Sequence, residues 1–327
     1  MRAKPIHLLS LVASGIILVS LLWLPDLDEV ADLLSDASMA YLGLVLALYF
    51  ANLIVKGYRW YLLLDTGPSI SFGSTLPYYT VSLSINNLMP GRVAGEPFRL
   101  MFMRAADAYP VPRGLATIVW EKGVDMVVII LMAVLGIALV AGDLPQSTHL
   151  ALLGVSALLL TATVVPMYLL VRRRLSAWFA PLLERIGRRM RSRFLEGKAP
   201  AHLRRFERAF DNLASRRLVA PTLALTVLIW ANEVARFYII YILVLPEGTW
   251  IDPGAILVAV TVATLLSIAL PAGGGSLLGL NTVLLALSLP TDRVTAASLL
   301  SVATSIWLSF IVGAVVMTFI IYRHRGG

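Results

Sequence analysis

Long, predominantly apolar stretches recur along the chain at 6–24, 39–64, 114–141, 145–171, 218–245 and 292–322, with shorter polar segments between them. An α-helix rises about 1.5 Å per residue, so roughly 20 apolar residues cross a hydrocarbon core about 30 Å thick. The pattern therefore predicts about six full transmembrane helices. Two further stretches are apolar but irregular. Asn86, Asn87, Pro90, Gly91 and Gly95 interrupt 70–104, and Pro271, Gly273, Gly274 and Gly275 interrupt 253–289. Proline and glycine at these points break a helix. Each stretch is expected to be a helical hairpin that turns near 90–95 or 271–275.

Composition sharpens the class. The chain is 58% hydrophobic and 14% charged, with a mean hydropathy of +0.83; soluble domains carry about 25% charged residues. The expected fold is an all-α polytopic membrane protein, a single transmembrane domain over 1–327 with no room for a soluble catalytic domain. There is no cysteine, which excludes disulfides, thiol catalysis and thiolate metal sites. His7, His149, His202 and His324 form no pair on one helix face, so neither a metal nor a cofactor is expected. Arg2 and Lys4 precede 6–24, which reads as a retained signal anchor.

Charge orients the spans. Segment 172–217 holds 14 of the 27 Lys and Arg residues against four acids, a net charge of +10. Short loops this basic stay in the cytoplasm. The end of the sequence, Arg323-His324-Arg325, suits the same side, and 25–38, with Asp26, Asp28, Glu29, Asp32 and Asp36 and no base, suits the outside. The protein is thus expected in the cytoplasmic membrane with both termini inside. Parity then requires 70–104 to start and end inside and 253–289 to start and end outside. Two units follow, 39–141 and 218–322, one inverted relative to the other and joined through the basic segment. Internal echoes agree: Ile70-x-x-Gly73 matches Ile251-x-x-Gly254, and Pro90 and Pro271 each lie 17 residues after the glycine. Arg59-Trp60-Tyr61 resembles Arg236-Phe237-Tyr238 with a four-residue offset. Inverted repeats with broken helices are the architecture of alternating-access transporters.

Within 172–217, Leu175, Trp178, Phe179, Leu182, Leu183, Ile186, Met190 and Phe194 recur at helical spacing, and Leu203, Phe206, Phe210 and Leu213 repeat the pattern. Two readings fit: interfacial helices that grip anionic headgroups, or helices packed on the protein's own underside.

Ionisable groups inside spans are expensive, and they are usually paired or functional. In the first hairpin, Asn87, Arg92, Glu96 and Arg99 flank the break. Two arginines there can grip a phosphate, with Glu96 pairing either one when no ligand is bound; a cytoplasmic turn is the plainer reading. Glu121 and Asp125 lie four apart on one helix face and call for a cation, a proton or an arginine, with Arg92, Arg99 or Arg59 as the natural partner, either as a structural pair tying hairpin to helix or as a direct ligand site. Glu233 and Arg236 lie three apart, deep in 218–245, as a structural pair or as part of a transport path. Gly274 and Gly275 lead into a helix start, where backbone N–H groups can meet an anion; tight hairpin packing needs glycine equally.

The run Asn87-Leu88-Met89-Pro90 through Gly95-Glu96 and Arg99, followed by Glu121-x-x-x-Asp125, resembles the flippase-like family. That family forms the membrane region of lysylphosphatidylglycerol synthases and includes stand-alone relatives. Arg59-Trp60 upstream and 271–279 downstream sit where that family has its other motifs, so the likeness covers nearly the whole chain. Asn281 stands where the family usually has a glutamate. The resemblance implies a lipid-translocating domain with two re-entrant elements. In the full-length synthases a soluble aminoacyl-transfer domain follows; here the sequence stops at Gly327, and aminoacylation is not implied.

The expected function is a flippase-like transporter moving an anionic or phosphate-bearing lipid between leaflets, and not an enzyme. Substrate-binding residues are expected at Arg59, Asn87, Arg92, Glu96, Arg99, Glu121, Asp125, Glu233, Arg236, Gly274 and Gly275. The expected partner is a membrane phospholipid or a polyprenyl-phosphate-type lipid, with a second copy of the chain or a separate lipid-modifying enzyme as further candidates, and no nucleic acid. Two rivals stand beside this reading. One is a membrane-embedded enzyme using Glu121, Asp125 or Glu233 as acid or base. The other is a non-transporting partner of a lipid or glycan enzyme.

Overall fold

The structure, a computed structural model, describes residues 38–64, 70–107, 109–140, 146–190, 192, 198–244, 251–286 and 289–325. The predicted span 6–24 and nearly all of the acidic segment 25–38 lie outside them. Among the described residues every regular element is helical. Within those residues, five helices are long and apolar enough to cross a membrane: Met39–Leu64, Val111–Leu139, Leu153–Val171, Arg217–Val244 and Thr291–Tyr322. The chain is a multi-pass membrane protein. The helix limits fall within a few residues of the apolar stretches, because the same apolar runs that favour lipid end where polar or helix-breaking residues begin.

The first unit comprises α1 (Met39–Leu64), α2 (Phe72–Leu88), α3 (Glu96–Asp107) and α4 (Val111–Leu139). Helix α5 (Gln146–Val171) leads to two amphipathic helices, α6 (Arg174–Met190) and α7 (Ala199–Leu213). The second unit comprises α8 (Arg216–Val244), α9 (Pro253–Ala269), α10 (Gly274–Leu285), α11 (Thr291–Val302) and α12 (Leu308–Arg325). A π-helical turn, Ala303–Trp307, joins the last two.

The two hairpins share one construction. The leading helices α2 and α9 each have 17 residues, and the returning helices α3 and α10 each have 12. Side chains cap both starts: Ser74 N–H donates to the Ser71 hydroxyl, and Gly254 N–H to the Asp252 carboxylate. At each break a proline is followed by two residues of positive φ, Gly91 (83°) and Arg92 (49°) in the first and Ala272 (58°) and Gly273 (104°) in the second. The left-handed region costs a residue bearing a Cβ about 1–2 kcal/mol. Arg92 and Ala272 therefore sit where glycine would be easier. A 12-residue helix is about 18 Å long, well short of the hydrocarbon thickness.

Packing between the units is reciprocal. Helix α1 packs on α8, α4 of the first unit on α9 of the second, and α12 of the second unit on α2 of the first. Glycines permit the closest approaches. A Cβ on Gly136 of α4 would lie 2.9 Å from the Gly254 carbonyl oxygen of α9, and one on Gly313 of α12 would lie 2.0 Å from Ser84 Oγ of α2. The hairpin tips touch, with Ala272 N–H donating to the Asn87 carbonyl at 2.8 Å. One apolar core, including Tyr241, Ala259, Leu284 and Ala297, fills the second unit; another, including Trp60, Tyr78 and Met103, fills the first.

The amphipathic helices divide the two readings of their pattern. Helix α7 buries Phe210 and Leu213, with Phe206 partly buried, against Trp120 of α4 and Leu170 of α5. Helix α6 leaves Trp178, Phe179, Leu182, Ile186 and Met190 exposed, a stripe at near four-residue spacing. Glu207, buried on α7, fixes the start of α6 by accepting from Ser176 N–H at 2.7 Å.

Candidate functional site

A cavity of ≈ 370 Å³ opens where α1, α2, α4, α8, α9 and the π-helical turn converge. Its walls include Lys56, Arg59, Arg92, Lys122, Asp125, Glu233 and Arg236. Apolar surface from Leu53, Met126, Ile229 and Val260 separates these groups. A concave site where polar groups converge between apolar walls is the usual form of a small-molecule site.

Two charge clusters build it. The first is anchored by Glu121 on α4, fully buried. Its Oε1 accepts from Arg59 Nη2 at 3.0 Å and from Tyr79 Oη at 3.2 Å, and its Oε2 accepts from Arg99 Nη1 at 3.1 Å. One turn further along α4, Asp125 receives both arms of the Arg59 guanidinium, at 2.5 and 3.0 Å. Thr226 and Trp230 of α8 complete this contact from the other unit. The i, i+4 spacing of the two acids is what lets one arginine bridge them. Arg99 lies 4.3 Å over the Trp60 ring and pairs with Glu96 at 2.6 Å. Glu96 also accepts from Asn86 Nδ2 and pairs with Lys122 at 3.2 Å.

The second cluster joins the units through α1 and α8. Glu233 Oε1 accepts from Lys56 Nζ at 2.7 Å and Asn52 Nδ2 at 2.9 Å, and Oε2 accepts from Arg236 Nη2 at 2.7 Å. Arg236 also donates to Ser305 in the π-helical turn and lies 5.6 Å over the Tyr49 ring.

Arg92 belongs to neither cluster. It donates to Asn87 Oδ1 at 2.6 Å, while Asn87 Nδ2 donates to Ser309 of α12. No carboxylate of the described residues lies within ion-pair distance of its guanidinium. Among the described residues of this site, Lys56, Arg59, Arg92, Arg99, Lys122 and Arg236 face Glu96, Glu121, Asp125 and Glu233. The excess is two positive charges.

Of the residues expected from the sequence, Arg59, Asn87, Arg92, Asp125, Glu233 and Arg236 line the cavity. Glu96, Arg99 and Glu121 stand behind its wall as buried support. Glu96 pairs with Arg99 and Lys122 rather than with Arg92. Gly274 and Gly275 do not reach the cavity, and their N–H groups are spent on Pro271 O and Leu270 O inside the turn. A Cβ on Gly275 would lie 2.4 Å from Leu266 backbone atoms, so Gly275 permits hairpin closure. Asn281, buried in α10, donates to Leu277 O and takes no part in the cavity. Sequence reasoning passed over Asn52 and Lys56. Their spacing to Arg59 (four, then three) puts all three on one face of an apolar helix, a signal that was present in the sequence. Tyr79, Thr226 and Ser305 carried no such signal, because only the packing brings them to the charges.

The chain matches the family described as Lysylphosphatidylglycerol synthase TM region over residues 8–313. Two proteins of Methanothermobacter thermautotrophicus (strain Delta H), each described as a UPF0104 membrane protein, are similar to it. One is 26% identical over 302 residues, covering 88% of this chain and 88% of its own length. The other is 24% identical over 297 residues, covering 82% and 79%. No solved structure matches the chain significantly.

Proposed function

We propose that this chain, which belongs to the family of the lysylphosphatidylglycerol synthase TM region, is a flippase that carries an anionic or phosphate-bearing lipid between membrane leaflets without altering it. The observation that carries the reading is the excess of two positive charges around a cavity shared by both units, with no carboxylate of the described residues within ion-pair distance of Arg92 and Glu233 acting on it only at longer range. A phosphate headgroup replaces its lost water with charge-assisted hydrogen bonds from such groups, and a cation without a carboxylate at ion-pair distance in a low-dielectric site favours an anion. Arg92 also holds a left-handed φ that glycine would adopt more easily. Strain of this kind at a cavity points to a side chain kept for function.

The short returning helices support re-entrant hairpins, and their matched lengths and reciprocal packing support an inverted repeat. In such repeats the substrate site lies near the bilayer midplane between the units. The charge of the basic segment 172–217 and of both termini supports a cytoplasmic side for them in a cell membrane. Because the chain has no cysteine, a single cysteine at Met190 is expected to react with an impermeant maleimide only after lysis. Labelling of intact cells there contradicts this topology.

Arg92→Gly tests the site without backbone strain. Native mass spectrometry of the wild-type protein in detergent is expected to show a retained phosphate-bearing lipid whose mass is unchanged after incubation. Arg92→Gly is expected to lose it while keeping its thermal stability. A lipid of new mass after incubation supports the membrane-embedded enzyme instead, and retention unaffected by Arg92→Gly removes the site from the reading.

A further inference from the structure

A second opening, an apolar groove of ≈ 550 Å³, lies between α3, α4 and α5. Leu100, Leu115, Ile118 and Met167 are among its walls, and its polar lining is limited to Glu96, Lys122 and Thr163. All three have partners, Lys122 and Glu96 pairing with each other. Glu96 is held by Asn86, Arg99 and Lys122, and the Thr163 hydroxyl donates to Leu159 O at 2.9 Å. Gly123 lets α5 come close, since a Cβ there would lie 2.2 Å from Met167 Sδ. The groove and the charged cavity share Val93, Lys122 and Met126. The Lys122 side chain, 41% exposed, puts its ammonium at their junction.

We infer that the groove holds an acyl tail of the same lipid whose phosphate headgroup enters the cavity, with Lys122 at the boundary between them. The inference rests on the proposed function for the headgroup. It adds the lateral door through which that lipid reaches the site. A diacyl lipid is apolar over most of its length and charged at one end. The two connected openings repeat that division, with a cation where the glycerol phosphate joins the chains. A headgroup cavity without an adjoining apolar slot would force the tails across charged walls, at the desolvation cost of every group they covered.

The test uses two lipids with the same tail diazirine, one phosphatidylglycerol and one phosphatidylcholine, in vesicles containing the full chain. Photolabelling by the anionic probe is expected to concentrate on peptides holding Leu115, Ile118 and Met167. It is expected to fall in Arg92→Gly to the level of the choline probe. Thr163→Trp and Leu115→Trp add bulk to two walls of the groove. Each is expected to lower transport and anionic labelling by about tenfold, the effect of excluding roughly two buried methylenes. Both should leave the affinity for water-soluble glycerol phosphate unchanged. Equal labelling by both probes, or labelling independent of Arg92, overturns the inference, since the groove then holds ordinary surrounding lipid. Arg92-dependent labelling in a protein that moves no lipid keeps the tail site and removes the flippase reading; transport unaffected by the tryptophans does the reverse.

Discussion

Glu121→Gln is expected to destabilise the protein by about 3–5 kcal/mol, the usual effect of removing one partner from a buried ion pair. Glu121 is 1% exposed and accepts hydrogen bonds from Arg59, Arg99 and Tyr79. Glutamine keeps the volume but replaces an oxygen with an NH₂ that faces donors, and it leaves two arginines short of charge. Asp125→Asn is expected to cost less, because Asp125 is 17% exposed and borders the cavity. Thermal unfolding in detergent, followed by circular dichroism, ranks the two. Pairing Glu121→Gln with Arg99→Met in a double-mutant cycle should recover part of the loss, since the second change removes one uncompensated cation. Equal stability of Glu121→Gln and wild type would mean that Glu121 is not an anchor of this cluster.

Gly95→Ala and Gly275→Ala are expected to be as damaging, for a steric reason. A Cβ on Gly95 would lie 2.0 Å from the Ser82 carbonyl oxygen, and one on Gly275 would lie 2.4 Å from the Leu266 carbonyl group. In each hairpin the returning arm meets the backbone of the leading arm, which cannot rotate aside as a side chain can. The cost should exceed the about 1–3 kcal/mol of ordinary overpacking, with low yield and early unfolding as the readout. Gly43→Ala and Gly154→Ala meet nothing within 4 Å. They should be neutral or slightly stabilising, because alanine favours a helix over glycine by about 1 kcal/mol. Similar losses at all four positions would refute the close closure of the hairpins.

The fold was largely legible because lipid imposes one strong rule. A spanning helix must be apolar over most of its length, so helix limits follow from runs such as 39–64, observed as Met39–Leu64. The breaks at 90–95 and 271–275 were equally plain, since proline and glycine act through local sterics. Partner choice was only half legible. The Glu121-x-x-x-Asp125 spacing calls for a cation, a proton or an arginine on one face, and Arg59 supplies the charge, but spacing cannot choose between Arg59, Arg92 and Arg99. Lys56 joined Glu233 across 177 positions, a contact set by α1 packing on α8 and by nothing local. The glycine run at 273–275 was ambiguous because anion binding and close packing ask for the same residue. The positive φ of Arg92 had no sequence signal at all, as arginine rarely adopts it.

Transport itself is measured most directly in sealed vesicles carrying headgroup-labelled phosphatidylglycerol, with the outer leaflet quenched chemically. Wild-type protein is expected to expose the inner pool faster than empty vesicles do, and Arg92→Gly and Arg236→Ala should not. The recovered lipid should be unchanged in mass. Wild-type rates equal to those of empty vesicles, across several anionic lipids and imposed ion gradients, would contradict the flippase reading and favour a protein that serves a separate lipid enzyme.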